Sequence, residues 1–413
     1  MKKLLVVLLI IFALSATALS EEDYYSSEMD LIENEIKNDG SILSGDFLYQ
    51  LLPDGTASFV GYYGNVGEFG DGFEQVPQNP VTSLTIPSVL DGYPVTRIGE
   101  GAFYEDDYIT SIEVPEGVTA IEDGAFEACT KLTSIHLPDS LSVIGGNPFV
   151  GCTALKDIIL SDNHPVFVMR DGVLFSKPDK RLVCYLRAFS RKEYSIPSGT
   201  EIIGDSAFED CGGLKKVSIP NTVTRIGNYS FCGCESLDEI TIPDSVTAIG
   251  EFAFCACTRL TEINLPDSIL EIGINPFAGC RKLKKLLVST NHPLLEVKNG
   301  SLLGKQDNRL ISFPCSVRVE EYSVPEGTIT IGDYAFSECR IERIILPNTV
   351  TTIGNSVFCD VYGLTSVTVP ASVVNIGSDA FYSLFSDNSL AVIVEAGSYA
   401  ETYCKENEIK YEH

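Results

Sequence analysis

The sequence predicts a repeat solenoid, about twelve short coils stacked with their strands in parallel and with little helix. Three observations carry this expectation. First, a 23-residue motif recurs: Thr110 to Leu132 reads TSIEVPEGVTAIEDGAFEACTKL, and the next 23 residues read TSIHLPDSLSVIGGNPFVGCTAL. Second, its phenylalanine falls at Phe103, Phe126, Phe149, Phe208, Phe231, Phe254, Phe277, Phe336, Phe358 and Phe381, with steps of 23 apart from two of 59 and one of 22. Third, a longer symmetry overlies the short one, because Thr133–Cys211 matches Thr261–Cys339 at an offset of 128, as a duplicated block of repeats would. Fixed self-similarity at this period is the signature of an array in which each unit buries its apolar side only against its neighbours.

Composition fits such an array. The chain has 413 residues, 44% of them hydrophobic, enough to bury a large core and too many for a wholly disordered chain. With 57 acidic and 29 basic residues the formal charge is −28, which argues against a nucleic-acid binder and against adsorption on anionic lipid.

The elements follow in chain order. Residues 1–20 have a basic start, Lys2-Lys3, an apolar run from Leu4 to Leu14, and small residues at Ala18 and Ser20, the pattern of a secretory signal peptide. The run is too short to span a bilayer and no later stretch is long and apolar enough, so no membrane span is expected after its removal. Residues 21–43 read as an acidic linker, with a short helix within Glu21–Asn38 as the alternative. In 44–80, alternating apolar residues on either side of Asp54-Gly55 predict a β-hairpin cap over the first coil. The solenoid occupies 81–390. In each unit a triplet such as Ile135-His136-Leu137 alternates inward and outward as a short strand, and Pro138 then stops the pairing. Asp139-Ser140 turns the chain, and Val143-Ile144 sends a second apolar group inward. Gly145 suits a bend with positive φ, and a glycine follows this isoleucine in nine units, Ile121-Glu122 being the exception. Insertions near 161–192 and 289–320 each begin Asn-His-Pro and reach a glycine turn at Gly172 or Gly300, which predicts β-hairpins projecting from, or broadening, two coils. Residues 391–413 predict a closing strand at Val392–Val394 and a helix over Tyr399–Asn407 capped by Ser398.

The motif, with its inward apolar residues and its phenylalanine kept through ten units, resembles leucine-rich repeats of the BspA-like (Treponema pallidum-type) class. The resemblance covers about residues 81–390. It implies a right-handed, curved solenoid with a parallel sheet on the concave side, in a family whose members are commonly secreted or surface proteins of bacteria, some of them adhesins. Twelve coils at a strand spacing of about 4.8 Å make a rod roughly 60 Å long. Outward strand positions would then form the concave face, among them Glu113, His136, Lys216, Thr241, Asn264, Lys285, Arg343 and Thr368.

Little in the chain points to catalysis or metal chemistry. His164 and His292 invite a metal reading, but they sit at equivalent places in the two copies, and duplication alone explains the pair. Seven of the 13 cysteines stand three residues after the repeat phenylalanine, where other units place Asp106, Val361 or Leu384, so they read as small buried residues with free thiols. Cys232 and Cys255, one coil apart and nearer the surface, are the exception whose redox state is open. No P-loop, Rossmann fingerprint, HExxH or GxSxG motif appears, and no cofactor or metal is expected. The expected role is a secreted or cell-surface, non-catalytic repeat protein binding an extracellular protein or glycoprotein, as an adhesin does. A cell-envelope spacer without a ligand and a carbohydrate-binding module are the alternatives.

Overall fold

The computed structural model describes residues 40–64, 80–382 and 390–413. The leader at 1–20, nearly all of the linker and part of the expected cap lie outside these residues.

The chain forms a β-solenoid of about 13 turns. One turn more than the sequence expectation arises because the closing strand Ala391–Val394 pairs in parallel with Ser366–Val369 as a full turn. The outward-facing triplets, Ser83–Thr85, Ser111–Glu113, Ser134–His136 and Asp157–Ile159 in the first sheet, pair one coil to the next without slip: Ser111 lies opposite Ser134 and Ser134 opposite Asp157. This row continues as sheets of three, two and five strands.

A second parallel ladder runs along the stack, made of two-residue strands such as Ala120–Ile121, Val143–Ile144 and Arg225–Ile226. Its isoleucines align, with Ile226 opposite both Ile203 and Ile249. The glycine after each of them is not in the left-handed region as the sequence suggested, because the left-handed φ belongs two residues later, at Ser206, Tyr229, Phe252 and Tyr334. The physical reason for the glycine is proximity. A Cβ at Gly227 would stand 2.3 Å from Asp205 Oδ1 and 2.7 Å from the Asp205 nitrogen, so the adjacent coil leaves no room for one.

The repeat phenylalanines are buried and stack. Phe208, Phe231 and Phe254 are fully buried, with centroids 5.0 and 5.3 Å apart and interplanar angles of 5° and 2°. The spine also holds rings outside the ten-member list. Phe59 of the cap stacks on Phe103, Tyr185 on Phe208, and Phe313 packs on Phe336 at 5.8 Å. Tyr403 of the closing helix meets Phe381 at 6.2 Å. Thus each 59-residue step hides a 36-residue step to Tyr185 or Phe313 and then an ordinary one of 23.

The insertions do not project. Each forms a three-stranded antiparallel meander, Phe167–Arg170, Val173–Ser176 and Arg181–Tyr185 in the first, whose last strand pairs in parallel with Ile202–Ile203 of the second ladder. The second is Leu295–Lys298, Ser301–Gly304 and Arg309–Ser312. Both faces of the first meander are apolar. Phe167, Leu174, Val183 and Cys184 pack into the core before it, and Val173, Phe175, Leu182 and Tyr185 into the core after it. A sheet with two apolar faces must be covered on both sides, so it lies inside the stack as a partition. The second meander divides in the same way, with Leu295, Leu302 and Ile311 facing back and Leu310, Phe313 and Cys315 facing forward. The core therefore falls into three compartments.

Two side chains close the backbone ladders around the first partition. Asn147 donates from Nδ2 to the Ser206 carbonyl at 3.0 Å and accepts the Phe149 N–H at Oδ1, also at 3.0 Å. Asn275 repeats this with the Tyr334 carbonyl and the Phe277 N–H. Arg181 donates to the carbonyls of Ile144 and Gly145 at 2.7 and 2.6 Å, where an ordinary next coil would have supplied backbone N–H groups.

At the N-terminal end the cap has three strands. Ser41–Ser44 pairs antiparallel with Phe47–Leu51, so ordered pairing starts inside the segment assigned to the linker, because the Gly45 turn returns the chain at once. Phe47–Leu51 and Ala57–Tyr62 form the hairpin around Asp54-Gly55. At the other end the helix Tyr399–Glu406 starts at Ser398, whose side chain accepts from the Glu401 N–H at 3.2 Å. Tyr411–Glu412 then adds a short strand beside Ala391–Val394 that the sequence did not suggest.

Candidate interaction face

The strand row places the outward side chains of each strand beside their equivalents on the next. Glu113, His136, Lys216, Thr241, Asn264, Lys285 and Arg343 are exposed, and Thr368 is half-buried. Each three-residue strand has the same logic: its centre, such as Ile135 or Val217, is buried in the core, and its two neighbours face out. Thr241 lies just past the two-residue strand Glu239–Ile240. Neighbouring charges along the row pair loosely, with Arg343 Nε 3.2 Å from Glu321 Oε2 and His136 Nδ1 4.0 Å from Glu113 Oε1. Exposed pairs of this kind are worth about 0–1 kcal/mol each, so they leave the face available to a partner.

The two matched histidines lie elsewhere and are committed to structure. His164 is buried, and its Nδ1 accepts the N–H groups of Val166 and Phe167 at 3.2 and 3.0 Å. That fixes the neutral tautomer with Nε2–H donating to the Pro138 carbonyl at 3.0 Å. His292 accepts from Leu294 and Leu295 in the same way, and burial lowers its pKa. Both imidazoles pin the Asn-His-Pro turn that opens a partition. Among the described residues no group of three or more His, Cys, Asp or Glu side chains is placed to hold a metal ion.

All 13 cysteines are free thiols. Those of the ladder do more than fill space. Cys129, Cys152, Cys234, Cys257 and Cys280 each donate to the carbonyl of the repeat phenylalanine one coil earlier, at 2.9 to 3.2 Å. A valine or leucine there leaves that carbonyl without this donor, a role the sequence pattern did not reveal. Burial raises the pKa of Cys234, Cys257 and Cys280 well above the ordinary thiol value, so they are inert as nucleophiles. Cys232 and Cys255 are half-buried neighbours, and the hydrogen bond between their thiols, followed by burial, raises the pKa of Cys232.

Among the described residues no helix is long and apolar enough to cross a membrane. The described residues present a long row of mostly polar side chains, with Ile159 and Leu287 also exposed in it, on a stack of coils, the architecture of a leucine-rich repeat protein. A family model for the BspA type leucine rich repeat region matches residues 78–169, 183–298 and 311–411 in six copies. The chain belongs to this family of BspA-type leucine-rich repeat proteins. Among solved structures it is similar to a leucine rich cell surface protein from Faecalibacterium prausnitzii, at 23% identity over 90% of this chain and 98% of that one, with a TM-score of 0.40. It is similar also to a leucine-rich repeat protein from Eubacterium ventriosum, at 20% identity over 86% of this chain and 73% of that one, TM-score 0.43. The T. pallidum leucine rich repeat protein aligns at 26% identity over 59% of this chain and 90% of that one, TM-score 0.32. No curated protein matches the chain.

Proposed function

We propose that the protein is secreted or held at the cell surface and binds an extracellular protein or glycoprotein through the strand face, without catalysis, as an adhesin does. The observation that carries this reading is the row of exposed, non-repeating side chains, from Glu113 to Arg343, presented on or beside short strands that pair in parallel from coil to coil. A rigid display loses little conformational entropy on binding, and varied side chains give it specificity. The pattern of a signal peptide at 1–20 supports export.

The test is a pull-down of the mature protein against host matrix and bacterial envelope fractions, repeated with Thr241→Arg and Asn264→Arg, two bulky changes at exposed positions of the face. Saturable capture lost in the variants supports the reading. Capture unchanged by them places binding elsewhere, and no capture at all favours a cell-envelope spacer.

A further inference from the structure

The chain is strongly acidic, yet one surface region reverses sign. Arg281, Lys282, Lys284 and Lys285 stand together at the start of the strand Lys285–Val288. The second partition brings Arg318 beside them, because the Ser316 N–H donates to the Leu283 carbonyl at 3.1 Å. Arg318 in turn is the register partner of Arg340 on the next strand. Two like charges directly across a strand pair repel and destabilise the sheet.

Neighbouring acids offset part of the excess but not all of it: Glu262 is exposed and is the register partner of Lys285. Glu338 is taken by Arg281 at 2.9 Å, Glu342 by Arg318 at 3.4 Å and Glu321 by Arg343 at 3.2 Å. Glu320 is exposed at the margin. Among the described residues no ion pair involves Lys282, Lys284, Lys285 or Arg340, and all four are exposed. Between Arg318 and Arg340 opens a cleft of about 280 Å³, lined also by Glu342, Tyr362 and Gly363. Arg281 stands over the Tyr362 ring at 5.9 Å from its centroid.

We infer that this cleft binds a carboxylate-bearing sugar of an acidic glycan, its carboxylate between Arg318 and Arg340 and its ring against Tyr362. Guanidinium groups match carboxylates in geometry as well as charge. The volume lies just below the usual range for ligand sites and suits one or two sugar rings rather than a folded peptide segment. Charge spacing selects among polyanions. Nucleic acid, with a phosphate at every residue, would meet the acidic surface on either side of the patch, whereas a glycan charged at every second sugar meets a patch of this size. The free lysines then meet the sugars beyond the cleft. This goes beyond binding of a protein on the strand face, and purified ligands let the two readings fail separately.

The experiment titrates the mature protein with a hyaluronan oligosaccharide, in which glucuronate alternates with a neutral sugar. A chitin oligosaccharide of equal length and poly-L-glutamate serve as the uncharged and peptide controls. Saturable hyaluronan binding is expected, weakened by salt, with neither control binding comparably. Arg318→Ala with Arg340→Ala should weaken it by at least about tenfold, Tyr362→Ala should also weaken it, and Lys131→Ala on a distant exposed site should leave it unchanged. All three arginine and lysine positions are exposed, so these variants should fold. Absence of saturable hyaluronan binding overturns the inference. So does equal binding of the chitin oligosaccharide or of poly-L-glutamate, or an affinity indifferent to the two arginines.

Discussion

Replacing Phe254 by alanine should remove more stability than almost any other single change in the middle compartment. Its ring is fully buried between Phe231, at 5.3 Å and 2°, and Phe277, at 5.9 Å and 12°. Truncating a buried phenylalanine typically costs about 3–5 kcal/mol in lost transfer energy and residual cavity. Two stacked contacts, each worth about 0.5–1.5 kcal/mol beyond area, are lost with it. The neighbouring coils are locked in register by the ladders and cannot close the gap, so the cost should lie near 5 kcal/mol, at the upper end of that range. Thr241→Ala, at an exposed position of the same repeat, should change stability by less than about 0.5 kcal/mol. Urea unfolding compares the two variants. Hydrogen exchange locates the damage, which a single midpoint cannot do in a repeat array. Loosening should centre on the coils carrying Phe231, Phe254 and Phe277 and stay between the two partitions. Equal losses in the two variants, or loosening that begins in the coils of Phe358 and Phe381, would refute the packing argument.

Other expectations follow from the same contacts. Asn147→Ala should cost about 1–3 kcal/mol in urea unfolding, because it leaves the Ser206 carbonyl and the Phe149 N–H without their buried partner; a neutral result would show that water replaces the amide. Thiol titration of the denatured protein without reductant should find nearly all 13 cysteines reactive, and six disulfides would contradict the free-thiol ladder. Burial, with Asp210 and Glu127 nearby, pushes Glu209 up to about 7. Its folded pKa thus exceeds its unfolded one, so its contribution is most favourable below about pH 4.5 and is lost as pH rises through 7. Glu209→Gln should therefore stabilise the protein at pH 8 by about 1–3 kcal/mol and do little at pH 4, and a variant equally stable or less stable at pH 8 would count against this. His292 runs the other way: with its pKa lowered by burial, its contribution is full above its unfolded pKa and is lost as pH falls below it. His292→Gln should flatten the stability profile on the acid side of about pH 6.5, and an unchanged slope there would dismiss this histidine as its source.

Much of this architecture was legible because a solenoid repeats its physics. A 23-residue return puts each phenylalanine at the same angle of its coil, so position in the period predicts burial, and alternation around Ile135 predicts which neighbours face out. What escaped was everything that bridges unlike segments. Tyr185 and Phe313 occupy the spine, but Cys184 and Ser312 precede them in place of the usual alanine, and 36 residues separate each from the phenylalanine before it. The second ladder pairs only two residues per coil, too few for alternation to register. Asn147 differs from the usual pattern in the sequence itself, where Asn-Pro-Phe opens the coil before each insertion, yet its partner lies 59 residues away. Face positions such as Lys285 and Arg343 could be read one by one. Their convergence with Arg318 and Arg340 could not, because a contact between Ser316 and Leu283, across the partition, creates it.

The partitions also bear on how such a rod fails. An array of like coils can unravel from an end one unit at a time, each step exposing a surface much like the last, so a fraying front meets no natural stopping place. At Phe167–Tyr185 and Leu295–Phe313 that sameness is broken. To pass, the front must peel away three antiparallel strands and strip apolar side chains that serve two compartments at once. Each meander is thus a ratchet pawl against end-to-end unzipping: a protease or shear force that opens one terminus would be held at the first, with the remaining two compartments still closed.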